Sequence, residues 1–281
     1  MKKFFAFLKS IFSKKETTYE APVVEIKENP IEESTICEKV DVKENPIETE
    51  EGFVKVEEAP ADEKPLGKPI EKASGPIKII IDSGHGIETP GKRSPYSNCG
   101  VSPALDFYEW QWNRKIAREI VKRLKALGYD AEMLVTNKSD MPLAMRANKV
   151  NKICNEFGKN NVLLVSIHSN AAGNGSKWMN CRGWCAYTSV GQTNADKLAE
   201  YLYDAAEEHF VGMKIRTDMS DGDRDWESNF SILKNTYCPA VITENFFYDN
   251  VDDVKYLLSE KGQEEIIKVH VEGITEYIST L

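Results

Sequence analysis

The sequence predicts an α/β domain, a mostly parallel sheet with helices on both faces, preceded by an N-terminal tail expected to be disordered. Three observations predict it. Composition breaks near Gly75: half of the twelve prolines lie before it and all five tryptophans after it. Beyond the break, continuous apolar runs of buried-strand type alternate with stretches at helical spacing. Strands and helices that alternate in this way build a parallel sheet covered on both sides. A chain of 281 residues with 41% hydrophobic and 29% charged residues has ample material for one such core.

The tail divides in two. Residues 1–15, MKKFFAFLKSIFSKK, hold five lysines and no acid. Phe4, Phe5, Leu8, Ile11 and Phe12 share one helical face, so a short basic amphipathic helix lying on an anionic membrane surface is the expectation. An export signal without a small-residue cleavage site stays open beside it, as does a helix with no membrane role. Residues 16–75 hold seven lysines against seventeen acids and an imperfect repeat, VEIKENPIEE and VDVKENPIETE. That segment has too little apolar surface to offset its ordering entropy and reads as an acidic linker. Of the formal net charge of −9, only −4 belongs to residues 76–281, and this balance argues against a nucleic-acid partner. Six cysteines in a chain this long are not a disulfide framework; free thiols with at most one bridge are expected.

The elements of the domain 76–281 follow in order. IKIIIDS (77–83) is a buried strand. In the helix 107–128, Trp112, Ile116, Ile120, Leu124 and Leu127 recur at helical spacing and Gly128 stands as the residue that ends it. A strand over 129–136, a helix over 143–158 and a buried strand over 161–167 come next. A strand over 182–189 precedes a helix over 194–210, for which Asn194 is the expected N-cap. The strand PAVITEN (239–245) and helices over 252–258 and 263–278 close the chain.

In such sheets chemistry sits beyond the carboxyl ends of the strands. Two of the four histidines stand there: His85 after IIIDSG and His168 after LLVSI. His209 and His270 fall within helical patterns and read as ordinary. Gly84 and Gly86 flank His85 and suit either a plain turn or a close backbone approach to a ligand. Glu109 opens the long helix, where the helix dipole alone would favour an acid. With His85 and His168 it also completes a His₂Glu set, a zinc arrangement that leaves a fourth position open. Glu244 ends a buried apolar strand beside Phe246 and Phe247, and desolvation there would raise its pKa into the range of a general acid or base near neutrality.

DSGHG (82–86), the Glu109-x-x-x-Asn113 helix start, LAMRAN (143–148), SIHSNA (166–171) and PAVITENFF (239–247) together resemble the zinc-dependent N-acetylmuramoyl-L-alanine amidases of the amidase_3 type, found among autolysins and phage endolysins. The resemblance covers essentially all of 76–281 and none of the tail. It implies a sheet of about six strands, and one zinc ion held by His85, Glu109 and His168. Glu244 would be the catalytic residue. The implied reaction is hydrolysis of the amide between N-acetylmuramic acid and L-Ala in peptidoglycan, at the cell wall, in the periplasm or outside the cell. Ser83 before the first motif, the stretch 92–103 and Asn245-Phe246-Phe247 depart from the usual pattern and bear on substrate preference. A wall-binding module with a purely structural zinc, and a zinc peptidase cutting another bond of the wall peptide, are the alternatives. Asp82 is expected either to orient a ligand histidine or to form a turn, and Asn170 to touch substrate or fix its loop. Trp178, Trp184 and Trp226 would line a glycan groove or pack in the core.

Overall fold

The computed structural model describes residues 75–95 and 105–281. The tail segments 1–15 and 16–75, apart from Gly75, lie outside the described residues, as do Cys37 and Cys99. Ile79, Ile80 and Ile81, fully buried, form the heart of β1 (Lys78–Ser83), a strand enclosed on both faces. It is followed by α1 (Glu109–Ala126), β2 (Asp130–Met133) and α2 (Leu143–Phe157), then by a 3₁₀ turn and β3 (Val162–Asn170). After β4 (Cys185–Thr188) come α3 (Asn194–His209), the two-residue β5 (Trp226–Glu227) and the single turn α4 (Ser231–Lys234). The chain closes with β6 (Ala240–Phe247), α5 (Val251–Leu258) and α6 (Glu260–Ile278).

The six strands order as β2-β1-β3-β6-β4-β5. Every pairing is parallel except β4 with β6, where Cys185 lies opposite Glu244. The alternating side chains of β1 separate the two faces. Ile79 and Ile81 pack with α1, α3 and α6, whereas Ile80 joins Leu164, Ile242, Val150 and Leu233 on the side of α2 and α4. Helices therefore cover both faces, as the alternation predicts. None of the described helices is long and apolar enough to cross a membrane.

Boundaries shift where local chemistry decides them. The cap of α3 is Thr193 rather than Asn194: Thr193 Oγ1 accepts from the Ala195 N–H, while the Asp196 carboxylate accepts from the Thr193 N–H, a reciprocal capping box. Gly128 follows α1 with φ 91°, the left-handed residue that terminates it. Strand β6 runs two residues beyond the predicted end because Phe246, at φ 62°, sits in a bulge. Strand β5 and helix α4 are too short to leave a periodic signal in the sequence. Cys181 is disulfide-bonded, and Cys154, Cys185 and Cys238 are free and buried.

Candidate active site and metal centre

Strands β1, β3 and β6 end at the same edge of the sheet, and the predicted site residues meet there. Residues Asp82 and Ser83 pair with Ser166 and Ile167, and His168 pairs with Glu244, so the chain turns at Gly84 next to the end of β3. The Gly84 N–H donates to Ile167 O at 3.0 Å, and any Cβ at Gly84 would overlap the His168 ring. At Gly86 a Cβ would run into the backbone of Ser139 and Asp140. Both glycines are thus demanded by close approach. The rings of His85 and His168 meet edge to face, with centroids 4.9 Å apart.

Glu109 lies between the two imidazoles. Its Oε2 is 3.4 Å from His85 Nε2 and its Oε1 3.2 Å from His168 Nδ1. The Ser169 N–H donates to Glu109 Oε1 at 3.1 Å, and the Asn113 amide reaches both that oxygen and Gly84 O. Glu109 Oε2 is buried and accepts no hydrogen bond. Burial pushes the Glu109 carboxyl upward, but His85 and His168 outweigh it and hold it well below the usual carboxylate range. Burial lowers the pKa of His85. For His168 burial acts in the same direction, but its contact with Glu109 prevails and raises it. One ligand atom from each of His85, Glu109 and His168 lies within 4.8 Å of the others, a spacing that a single cation can bridge. Convergent donors and a buried carboxylate oxygen without a partner fit a zinc ion.

Two arginines hold the His85 turn. Arg114 donates to Ser83 O at 2.6 Å, Gly84 O at 3.1 Å and His85 O at 2.6 Å. Arg146 donates to Ser83 O at 2.9 Å and to Asp82 Oδ1 at 2.6 Å. His85 itself has φ 61°, a conformation that costs about 1–3 kcal/mol in a non-glycine residue. Charge-assisted bonds to three consecutive carbonyls offset that cost. Asp82 touches neither histidine: its oxygens take Arg146 and the Ser166 hydroxyl, so it anchors the clamp and forms no turn of its own. Sequence reasoning gave neither arginine a role, although Arg146 lies within LAMRAN (143–148). Arg114 and Arg146 stand on amphipathic helices, where an arginine ordinarily reads as solvent-facing.

Glu244 is the fourth predicted residue and stands beside His168. Its Oε2 is buried without a hydrogen-bond partner, and burial raises its carboxyl to about 7. Asn170 accepts from the Ala171 N–H and fixes its own loop. Trp184 is a core residue, packed on Tyr203 and Phe210. Trp178 packs against the core, and Trp226 against Tyr187. His270 is buried between Thr243 Oγ1 and Ile266 O, and His209 pairs with Glu272. Both are structural, as expected.

Residues 79–276 match the Amidase_3 family, described as N-acetylmuramoyl-L-alanine amidase. The chain belongs to that family. The Amidase_3 match takes in every strand of the sheet except the first residue of β1, and all four residues of the site. An endolysin of Bacillus phage SPP1 is 29% identical over 208 residues, covering 72% of this chain and 66% of that protein. The N-acetylmuramoyl-L-alanine amidase AmiC of Neisseria meningitidis is 25% identical over 234 residues, covering 72% of this chain and 53% of its own length. The chain thus spans between half and two thirds of these two relatives. The crystal structure of an N-acetylmuramoyl-L-alanine amidase from Clostridium difficile 630 superposes with a TM-score of 0.59 at 25% identity, over 74% of this chain and 99% of the other. The catalytic domain of CwlV from Bacillus (Paenibacillus) polymyxa shares the fold, with a TM-score of 0.57 at 21% identity over 73% of this chain and all of that domain.

Proposed function

We propose that residues 76–281 form a zinc-dependent N-acetylmuramoyl-L-alanine amidase that hydrolyses the amide joining N-acetylmuramic acid to L-Ala in peptidoglycan. The reading rests on one observation above the rest: Glu244 stands in register beside His168, and His168 belongs to the His85–Glu109–His168 cluster. Membership of the Amidase_3 family supports the choice of bond.

His85, Glu109 and His168 would hold the zinc ion. Once bound there, zinc supplies Lewis acidity toward water and toward the scissile carbonyl. The protein's own residues do the rest. The Ser169 N–H and the Asn113 amide fix the Glu109 carboxylate, and the arginine clamp fixes the His85 turn, so the donors are preorganised. Glu244, buried and with a free Oε2, takes a proton from the attacking water and returns it to the departing amine nitrogen. A carboxyl raised toward neutrality both accepts and releases a proton near physiological pH.

A substrate in the wall places the reaction on the periplasmic or extracellular side. The division into a basic segment 1–15, an acidic linker 16–75 and a catalytic domain 76–281 belongs to the same proposal. So does contact of residues 1–15 with an anionic membrane surface, which rests on the sequence pattern alone. Co-sedimentation of the full chain with anionic vesicles, lost when the five lysines are replaced, tests that last part; equal sedimentation of both forms contradicts it. Digestion of purified peptidoglycan tests the reaction: new L-Ala amino termini are expected, and cleavage of any other bond would replace the reading with a different peptidase.

A further inference from the structure

Arg216 lies between α3 and β5, and its charge acts on Glu244, opposing the rise that burial causes there. Its guanidinium carbon stands 4.9 Å from the centre of the Trp226 ring and 5.1 Å from that of Phe247. It donates to Cys185 Sγ at 3.7 Å, and Tyr203 Oη donates to its backbone carbonyl at 2.9 Å. Among the described residues no carboxylate lies within ion-pair distance of it. A half-buried guanidinium with no counter-ion is costly to keep, and two aromatic faces hold this one in a fixed plane. Its fork of donors matches a carboxylate in bidentate geometry.

Its position relative to the site follows from strand register. Cys185 is directly opposite Glu244, and Glu244 is paired with His168. Residues so paired present their side chains on the same face. A row therefore runs His168, Glu244, Cys185, with Arg216 against the last. Two strand spacings are about 10 Å. An extended peptide advances about 3.3–3.6 Å per residue, so the Cys185 end of the row, where Arg216 packs, stands up to about three residues from an amide held beside His168. The lactyl carboxyl of the muramic acid is consumed in the scissile amide, and the free carboxylates of the substrate consequently lie on its peptide side.

We infer that Arg216 is a substrate-binding residue that takes a free carboxylate of the stem peptide, up to about three residues from the scissile amide, and so favours acidic stem peptides over amidated ones. The inference deepens the amidase reading and rests on it. The test is isothermal titration of the full chain with the peptide L-alanyl-γ-D-glutamyl-L-lysine, its glutamyl α-carboxylate either free or amidated. A charge-assisted pair predicts that the wild type binds the free form at least about tenfold more tightly. Arg216→Met should bind both forms equally. Arg216→Lys, which keeps the charge and loses the fork, should retain part of the preference, and its unchanged thermal midpoint would separate binding from folding. Equal affinity of the wild type for both peptides, binding of neither, or a preference that survives in Arg216→Met would overturn the inference. Hydrolysis of muramoyl peptide is scored alongside. A carboxylate preference in a chain that never cleaves the muramoyl amide would sink the amidase reading and leave the carboxylate site standing.

Discussion

His168 and Glu244 stand in direct register near the carboxyl ends of adjacent parallel strands, so a proposed metal ligand and a proposed proton carrier lie side by side at one edge of the sheet. Two residues later the register has slipped: Asn170 pairs with Phe247, not Phe246. The bulge turns Phe246 into the core against Phe210 and Tyr256 and leaves Phe247 under Arg216. A single backbone irregularity thus divides the end of β6 between packing and site.

Glu244→Gln should retain one equivalent of zinc and lose about 10²- to 10⁴-fold in turnover, the usual contribution of a positioned proton carrier. His168→Ala should lose the metal together with activity. Metal analysis of both purified variants beside an assay for new amino termini checks the pair, and turnover by zinc-loaded Glu244→Gln at the wild-type rate would remove Glu244 from the mechanism.

Gly84→Ala places a methyl group on the His168 ring. Zinc affinity should fall about 10- to 100-fold, as when other groups that orient a metal ligand are changed. Competition against a chromophoric chelator measures it; unchanged affinity would mean that the turn moves aside without disturbing the cluster.

Arg146→Met leaves Asp82, a buried carboxylate, without its cation. Removing one partner of a buried pair costs about 3–5 kcal/mol. Asp82→Asn combined with Arg146→Met should cost less than the sum of the single changes, because the uncompensated charge is gone. Denaturant unfolding of the three variants reads the coupling directly, and strict additivity would refute it.

At the far edge of the sheet, burial and the neighbouring charges of Asp223 and Asp196 raise the Asp225 carboxyl to about 8, against the opposing effect of the hydrogen bond that Thr188 donates to it. Its folded pKa exceeds its unfolded value of about 4. Its contribution to stability is therefore complete below about pH 4 and is lost as pH rises through about 8. Asp225→Asn should flatten the fall in stability between pH 6 and 8 and raise the urea midpoint at pH 8. A wild-type midpoint that rises over that interval would contradict the sign.

Much of this was readable from the residues. Buried strands such as β1 and β3 announce themselves as apolar runs, and a histidine just past such a run has few places to go but the strand-end crevice. Glu244 was legible for the same reason, as a carboxylate that follows the apolar run of its strand. What escaped depends on contacts remote in sequence. Asp82 chooses Arg146, sixty-four residues away, over either histidine. Thr193 and Asn194 are both competent caps, and only the placement of Asp196 decides between them. The left-handed backbone of His85 and Phe246 leaves little mark in composition, since histidine adopts it only as a minority conformation and phenylalanine rarely adopts it at all. Arg216 reads as one more loop cation until Trp226 and Phe247 are folded beneath it.

The most direct test of the central claim is mass spectrometry of purified peptidoglycan digested by the protein, with and without a zinc chelator. Stem peptides that begin with free L-Ala, alongside peptide-free glycan, should form, vanish on chelation and return with added zinc. Cleavage that persists unchanged in chelator, or fragments cut at any other bond, would contradict it.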